Sequence, residues 1–134
     1  MARIGNRMGV WLYTRTGGRL AGGADKVLML TVPGRRSGQP RSSCMRYLST
    51  DQGLMVWGTA SGAPRDPDWF RNLRAADLAE VQVGRDTFQV RPRELLGAER
   101  DTAWRDTVLV RAPEVSRYAA KAGRTIPVAV LERV

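Results

Sequence analysis

The sequence predicts a mainly β chain with flanking helices, its strands antiparallel and enough in number to curl into a barrel. Three observations carry that expectation. Short apolar runs recur from Val27 to Leu131, Gly, Pro or Asp turns punctuate them, and two successive pairs are joined by connections of hairpin kind.

Taken in order, residues 2–15 place Ile4, Met8, Trp11 and Leu12 on one helical face, with Arg3, Arg7 and Arg15 elsewhere. Such a helix either packs on the domain or lies against a membrane surface or substrate. Residues 16–23 are too glycine-rich for regular structure. They follow a helix and lack a Gly-Lys-Ser/Thr ending, so their resemblance to a phosphate loop is weak. Strands are expected at 27–32 and 42–48, on either side of Gly34-Arg-Arg-Ser-Gly38, and at 54–59 after the Asp51-Gln-Gly53 turn. Two more, 78–83 and 87–95, are joined through Gly84-Arg-Asp86, and 126–131 is the last. A short helix is expected over 67–75. Asp66 suits its N-cap, Pro67 its first position and Asp68 its dipole, with Trp69 and Leu73, and Phe70 as a further candidate, facing inward. A helical segment over 98–121 is interrupted by Pro113. No repeat and no dividing linker is visible, so residues 1–134 read as a single domain.

Composition narrows the chemistry. The chain has 134 residues, 43% of them apolar, enough for a core without staples. No apolar run approaches the roughly 18 residues of a membrane span, and the N-terminus lacks the features of a signal peptide. A lone cysteine, Cys44, forbids an internal disulfide and fits a reducing, cytoplasmic setting. There are no histidines, which removes Ser-His-Asp and Cys-His catalysis and nearly every zinc constellation. No metal site is expected, and a cofactor is expected to carry the chemistry. The net charge is +9, and all but Lys26 and Lys121 of the 22 basic residues are arginine. That is either compositional bias or a positive field that recruits anions or nucleic acid. The arginines run from Arg3 to Arg133 without a dominant block, so no nucleic-acid partner is expected.

Two stretches concentrate the functional signal. In the first, a β-branched run ends at Gly34-Arg-Arg-Ser-Gly38, followed by Arg41. Arg35, Arg36 and Arg41, the Ser37 hydroxyl and the loop amides at Gly38 suit a phosphate or polyanionic tail. In the second, the strand ending at Trp57 leads through the small residues Thr59, Ala60, Ser61, Gly62, Ala63 and Pro64 into the helix. This is either an ordinary capped helix with a buried Trp, or a place where a flat ring meets backbone amides.

With these residues the chain resembles the deazaflavin-dependent nitroreductase family, flavin/deazaflavin oxidoreductases of actinobacteria with a six- to seven-stranded antiparallel split β-barrel of FMN-binding kind. The similarity runs from about Trp11 to Leu131. It is carried by Leu30-Thr31 with Gly34-Arg-Arg-Ser-Gly38 and Arg41, by Ser61-Gly-Ala-Pro64 with Asp66-Pro-Asp-Trp-Phe-Arg-Asn-Leu73, and by Pro113, Tyr118 and Arg124-Thr-Ile-Pro127. The resemblance implies coenzyme F420, an 8-hydroxy-5-deazaflavin with a phospholactyl-oligoglutamate tail, with FMN as second choice. The tail would lie on Arg35, Arg36, Ser37, Gly38 and Arg41. The ring would lie along Thr59 to Pro64, with Trp69 and Asn72 behind that wall. Tyr118 and Ser61 are the implied catalytic residues, orienting the acceptor or delivering a proton; for Tyr118 a structural role is equally open. The implied reaction passes a hydride from reduced F420 to a quinone, enone or nitroaromatic. The alternative is a protein of this fold that binds F420, FMN or haem without turnover. Implied partners are a small acceptor and at most a second copy, as monomer or homodimer, with peripheral membrane contact open. Ser42-Ser-Cys-Met45, a loop one glycine short before Pro64, and Ala76-Asp77 after the helix depart from the family pattern and bear on the substrate.

Overall fold

In β1 (Val27–Pro33) Leu28, Leu30 and Val32 are buried while Val27, Met29 and Thr31 are half-buried and Pro33 is exposed, the alternation a sheet imposes when one face meets a core. A computed structural model describes residues 27–134; the helix expected over 2–15 and the glycine-rich loop of 16–23 lie outside the described residues. Six more strands follow: β2 (Pro40–Arg46), β3 (Leu48–Thr50), β4 (Gly53–Trp57), β5 (Ala79–Val83), β6 (Asp86–Leu95) and β7 (Val128–Arg133). They form one sheet in the order β2-β1-β5-β6-β7-β4-β3, and every pairing is antiparallel.

The ends of that order explain the barrel. β2 and β3 are opposite edges of the sheet, yet only Tyr47 separates them in sequence. One residue spans about 3.6 Å at most, so the edges must come together and the sheet must curl. The strand expected over 42–48 is accordingly two strands, changing partner from β1 to β4 at the buried Tyr47 corner.

β7 is buried on both faces: Ala129 and Leu131 enter one core cluster, Val128 and Val130 the other. Each fully buried aliphatic side chain contributes about 1.5–3 kcal/mol relative to exposure. The strand starts two residues later than expected. Pro127 has no N–H for the ladder, and its carbonyl accepts the Gly58 N–H at 3.0 Å instead.

α1 (Asp68–Arg74) buries Phe70 and Leu73, while Trp69 is half-buried with its ring centroid 5.3 Å from that of Phe70. Its first turn corrects the expected cap. Pro67 holds the N-cap position, its carbonyl accepting from Phe70 and Arg71, and the Asp66 carboxylate turns to Arg124 and Arg74. The segment expected over 98–121 is α2 (Gly97–Ala103), a π-helical turn (Trp104–Val108), α3 (Leu109–Arg111) and, past Pro113, α4 (Val115–Ala122). No helix among the described residues is long and apolar enough to cross a membrane.

Candidate functional site

The β1–β2 turn is closed by Gly34 N–H donating to Gln39 O and Gly38 N–H donating to Gly34 O, both at 2.8 Å. The Ser37 hydroxyl accepts from Gln39 N–H at 3.1 Å. A Cβ on Gly34 would lie 2.8 Å from that hydroxyl oxygen, so a side chain there would push Ser37 out of its bond to Gln39. The three arginines have separate fates. Arg35 turns inward, donating to Asn72 Oδ1 from its backbone N–H (3.1 Å) and its guanidinium (2.8 Å), and reaching Asp68 at 3.4 Å. Asn72 is the one buried polar side chain among the described residues, so it anchors this turn onto α1. Arg36 and Arg41 are exposed and have no partner among the described residues. With the exposed Ser37 and Gly38 they present cations and polar groups to an anion.

The segment between β4 and α1 has an unusual backbone. Thr59 is right-handed helical (φ −71°, ψ −27°), and Ala60 and Ser61 then take φ +50° and +55°, followed by Gly62 at +87°. Left-handed conformations cost non-glycine residues about 1–2 kcal/mol each, so surrounding structure must hold them. Arg124 holds them. Its guanidinium donates to the carbonyls of Gly58 (3.0 Å), Thr59 (3.2 Å), Ala63 (3.1 Å) and Arg65 (2.9 Å), and to Asp66 at 2.7 Å. α4 closes the other side: a Cβ on Gly62 would fall 2.7 Å from Lys121 Cδ. The backbone N–H groups of Thr59, Ala60 and Ser61 meet no acceptor among the described residues.

Ser61 is exposed, and so is Tyr118 on α4. Tyr118 is three residues before Lys121, on the same helical face, and α4 packs on the Ala60–Gly62 turn. Neither hydroxyl has a hydrogen-bond partner among the described residues. The structure thus brings Ser61 and Tyr118 onto touching elements, while Asn72 goes to the arginine turn and Trp69 lies beside Phe70. Beyond Arg124 an open cleft of about 480 Å³ is walled by Arg65, Arg71, Arg74 and Thr125. Arg74 bonds Glu94 at 2.7 Å and Asp66 at 3.1 Å, and these acceptors, Glu94 first, raise its pKa. Cys44 is half-buried in β2, where burial pushes its thiol up to about 11. No cluster of His, Cys, Asp and Glu fit to hold a metal ion occurs among the described residues.

Asp66 is expected from sequence as a helix cap and Arg124 only as part of the Arg124-Thr-Ile-Pro127 motif, while Lys121 is not singled out. The clamp that joins them has no local signal, since Arg124 lies about sixty residues beyond the loop it holds.

The sequence pattern of a family described as F420H(2)-dependent quinone reductase matches residues 5–133. An F420H(2)-dependent quinone reductase of Mycobacterium tuberculosis is 30% identical over 127 residues, spanning 91% of this chain and 85% of the relative. Among solved structures, an F420-H2 dependent reductase superposes with a TM-score of 0.69 at 27% identity, covering 80% of this chain and 94% of its own. A FAD-binding protein from Mesorhizobium loti, at 15% identity and TM-score 0.60 over 92% and 88% of the two chains, shares the fold alone.

Proposed function

Because this chain belongs to the F420H(2)-dependent quinone reductase family, and is therefore an F420-dependent oxidoreductase of the split-barrel fold, we propose that its acceptor is a quinone and that two surfaces grip the cofactor. The observation that carries the reading is the presence, among the described residues, of two sets of groups without partners, one on the β1–β2 turn that packs on α1 and one on the loop that leads into α1. Among the described residues, Arg36 and Arg41 are exposed cations without partners, and the N–H groups of Thr59, Ala60 and Ser61 meet no acceptor. An acidic tail suits the first set, and a polar ring edge suits the second. The donor sets therefore fit coenzyme F420.

Bound F420H2 supplies a hydride, and the protein supplies position and a proton. Arg36 and Arg41 would hold the anionic tail, and Arg35, tied to Asn72 and Asp68, keeps the turn against α1. The Thr59–Pro64 loop would line the ring. Reduction of a quinone to a hydroquinone needs a proton with each hydride. The hydroxyls of Ser61 and Tyr118, without partners among the described residues, would hold the acceptor oxygen and deliver that proton, or orient a water that does.

The test is acceptor-dependent reoxidation of F420H2, followed by the return of deazaflavin absorbance across quinones, enones and nitroaromatics. Quinones are expected to turn over fastest; binding without any acceptor-dependent oxidation overturns the reading. Tyr118→Phe and Ser61→Ala are each expected to lower kcat by about 10- to 100-fold while leaving F420 affinity in place.

A further inference from the structure

Five acceptors converge on one largely buried guanidinium. The Arg124 side chain is 15% exposed, and four of the five groups it holds are backbone carbonyls of one loop. In a trans peptide the N–H points opposite to its C=O. Drawing the carbonyls of Gly58 and Thr59 onto Arg124 therefore turns the N–H groups of Thr59 and Ala60 to the opposite face. The backbone there is right-handed at Thr59 and left-handed at Ala60. In that conformation three successive N–H groups form a concavity that receives an electron-rich oxygen. The three are Thr59, Ala60 and Ser61, the same groups that meet no acceptor among the described residues.

We infer that Arg124 is the positioning residue of this loop: by drawing its carbonyls inward it holds the Thr59–Ser61 N–H groups, proposed above as the donors to the ring edge, open as a nest. Asp66 fixes the guanidinium from the side, at 2.7 Å. Lys121, stacked on Gly62, prevents the turn from collapsing toward α4. Arg124 acts through the loop backbone and touches no reacting atom. The inference rests on the reading that this loop faces the ring.

The experiment is fluorescence titration of the whole chain with F420 and with its tail-less deazaflavin, alongside urea unfolding. Arg124→Ala is expected to weaken both ligands equally, by about tenfold or more, as when charge-assisted bonds are lost. Added methylguanidinium restores the affinity. Arg124→Lys keeps a charge beside Asp66 but cannot span the four carbonyls, so it stays weak. Ala60→Pro removes the middle N–H and forbids φ +50° while leaving Arg124 intact, and it too weakens both ligands. If these variants bind the tail-less deazaflavin as the wild type does, or if only F420 weakens, the inference is overturned. If the wild type itself fails to bind the tail-less ligand while binding F420, the loop reading falls first.

Discussion

Arg35, Arg36 and Arg41 look alike in sequence and act differently in the fold. Arg36→Ala with Arg41→Ala is expected to weaken F420 while sparing a tail-less deazaflavin, because in the proposed arrangement the lost cations serve only the tail. Equal loss for both ligands would remove the tail assignment. Asn72→Ala leaves a half-buried Arg35 N–H and guanidinium without their acceptor, a cost of about 1–3 kcal/mol readable in a urea midpoint. The charge of this turn was legible because three arginines flank two glycines. The capture of Arg35 was not, since Asn72 lies 37 residues away and carries no local signal. Cys44 is a second residue-scale case. Its thiol is raised by burial from 9.0 to about 11, so near pH 8 its thiolate fraction is about 100-fold below that of an ordinary cysteine. Ellman's reagent is expected to react with it only on unfolding. Because the folded pKa lies above the unfolded one, the stability tied to the protonated thiol is complete below pH 9.0 and is lost as pH rises through about 11.

At the scale of elements, the strands followed their apolar runs, and the departures came from proline and from partner exchange. Pro127 delays β7, Pro67 displaces Asp66 from the cap, and Tyr47 splits one run into β2 and β3. None of these shows in the period of a run, because each depends on which strand or carboxylate waits nearby. The left-handed turn was equally hidden. Small residues announced a close approach, but Ala60 and Ser61 carry no preference for positive φ that would have foretold it. Gly62 tests how the turn is held. Gly62→Ala adds a Cβ at φ +87° and 2.7 Å from Lys121 Cδ, and is expected to destabilise by about 1–3 kcal/mol. Lys121→Ala in the same chain should recover the steric part and leave the backbone part. Full recovery in the double-mutant cycle would mean that the backbone carries no strain.

For the whole molecule, the charge of +9 had two readings, compositional bias and a field for anions, and the described arginines include examples that suit each. Arg74, Arg93 and Arg105 spend their charge on nearby carboxylates, and Arg100 and Arg111 donate to the carbonyls of Ile126 and Ser49. These are structural uses that an arginine-rich composition supplies. Among the described residues, cations without such partners include Arg36 and Arg41, exposed at the mouth of the β1–β2 turn. A field of this kind acts at a distance and is screened over about 8 Å at physiological salt. F420 affinity should therefore fall steadily as sodium chloride is raised, whereas the tail-less deazaflavin, lacking the charges the field attracts, should show little dependence. In the Arg36→Ala, Arg41→Ala chain the salt dependence for F420 should flatten toward that of the tail-less ligand. A slope unchanged by those substitutions would place the recruiting charge elsewhere on the barrel. A salt dependence shared by both ligands would mean that the field acts on the ring site itself.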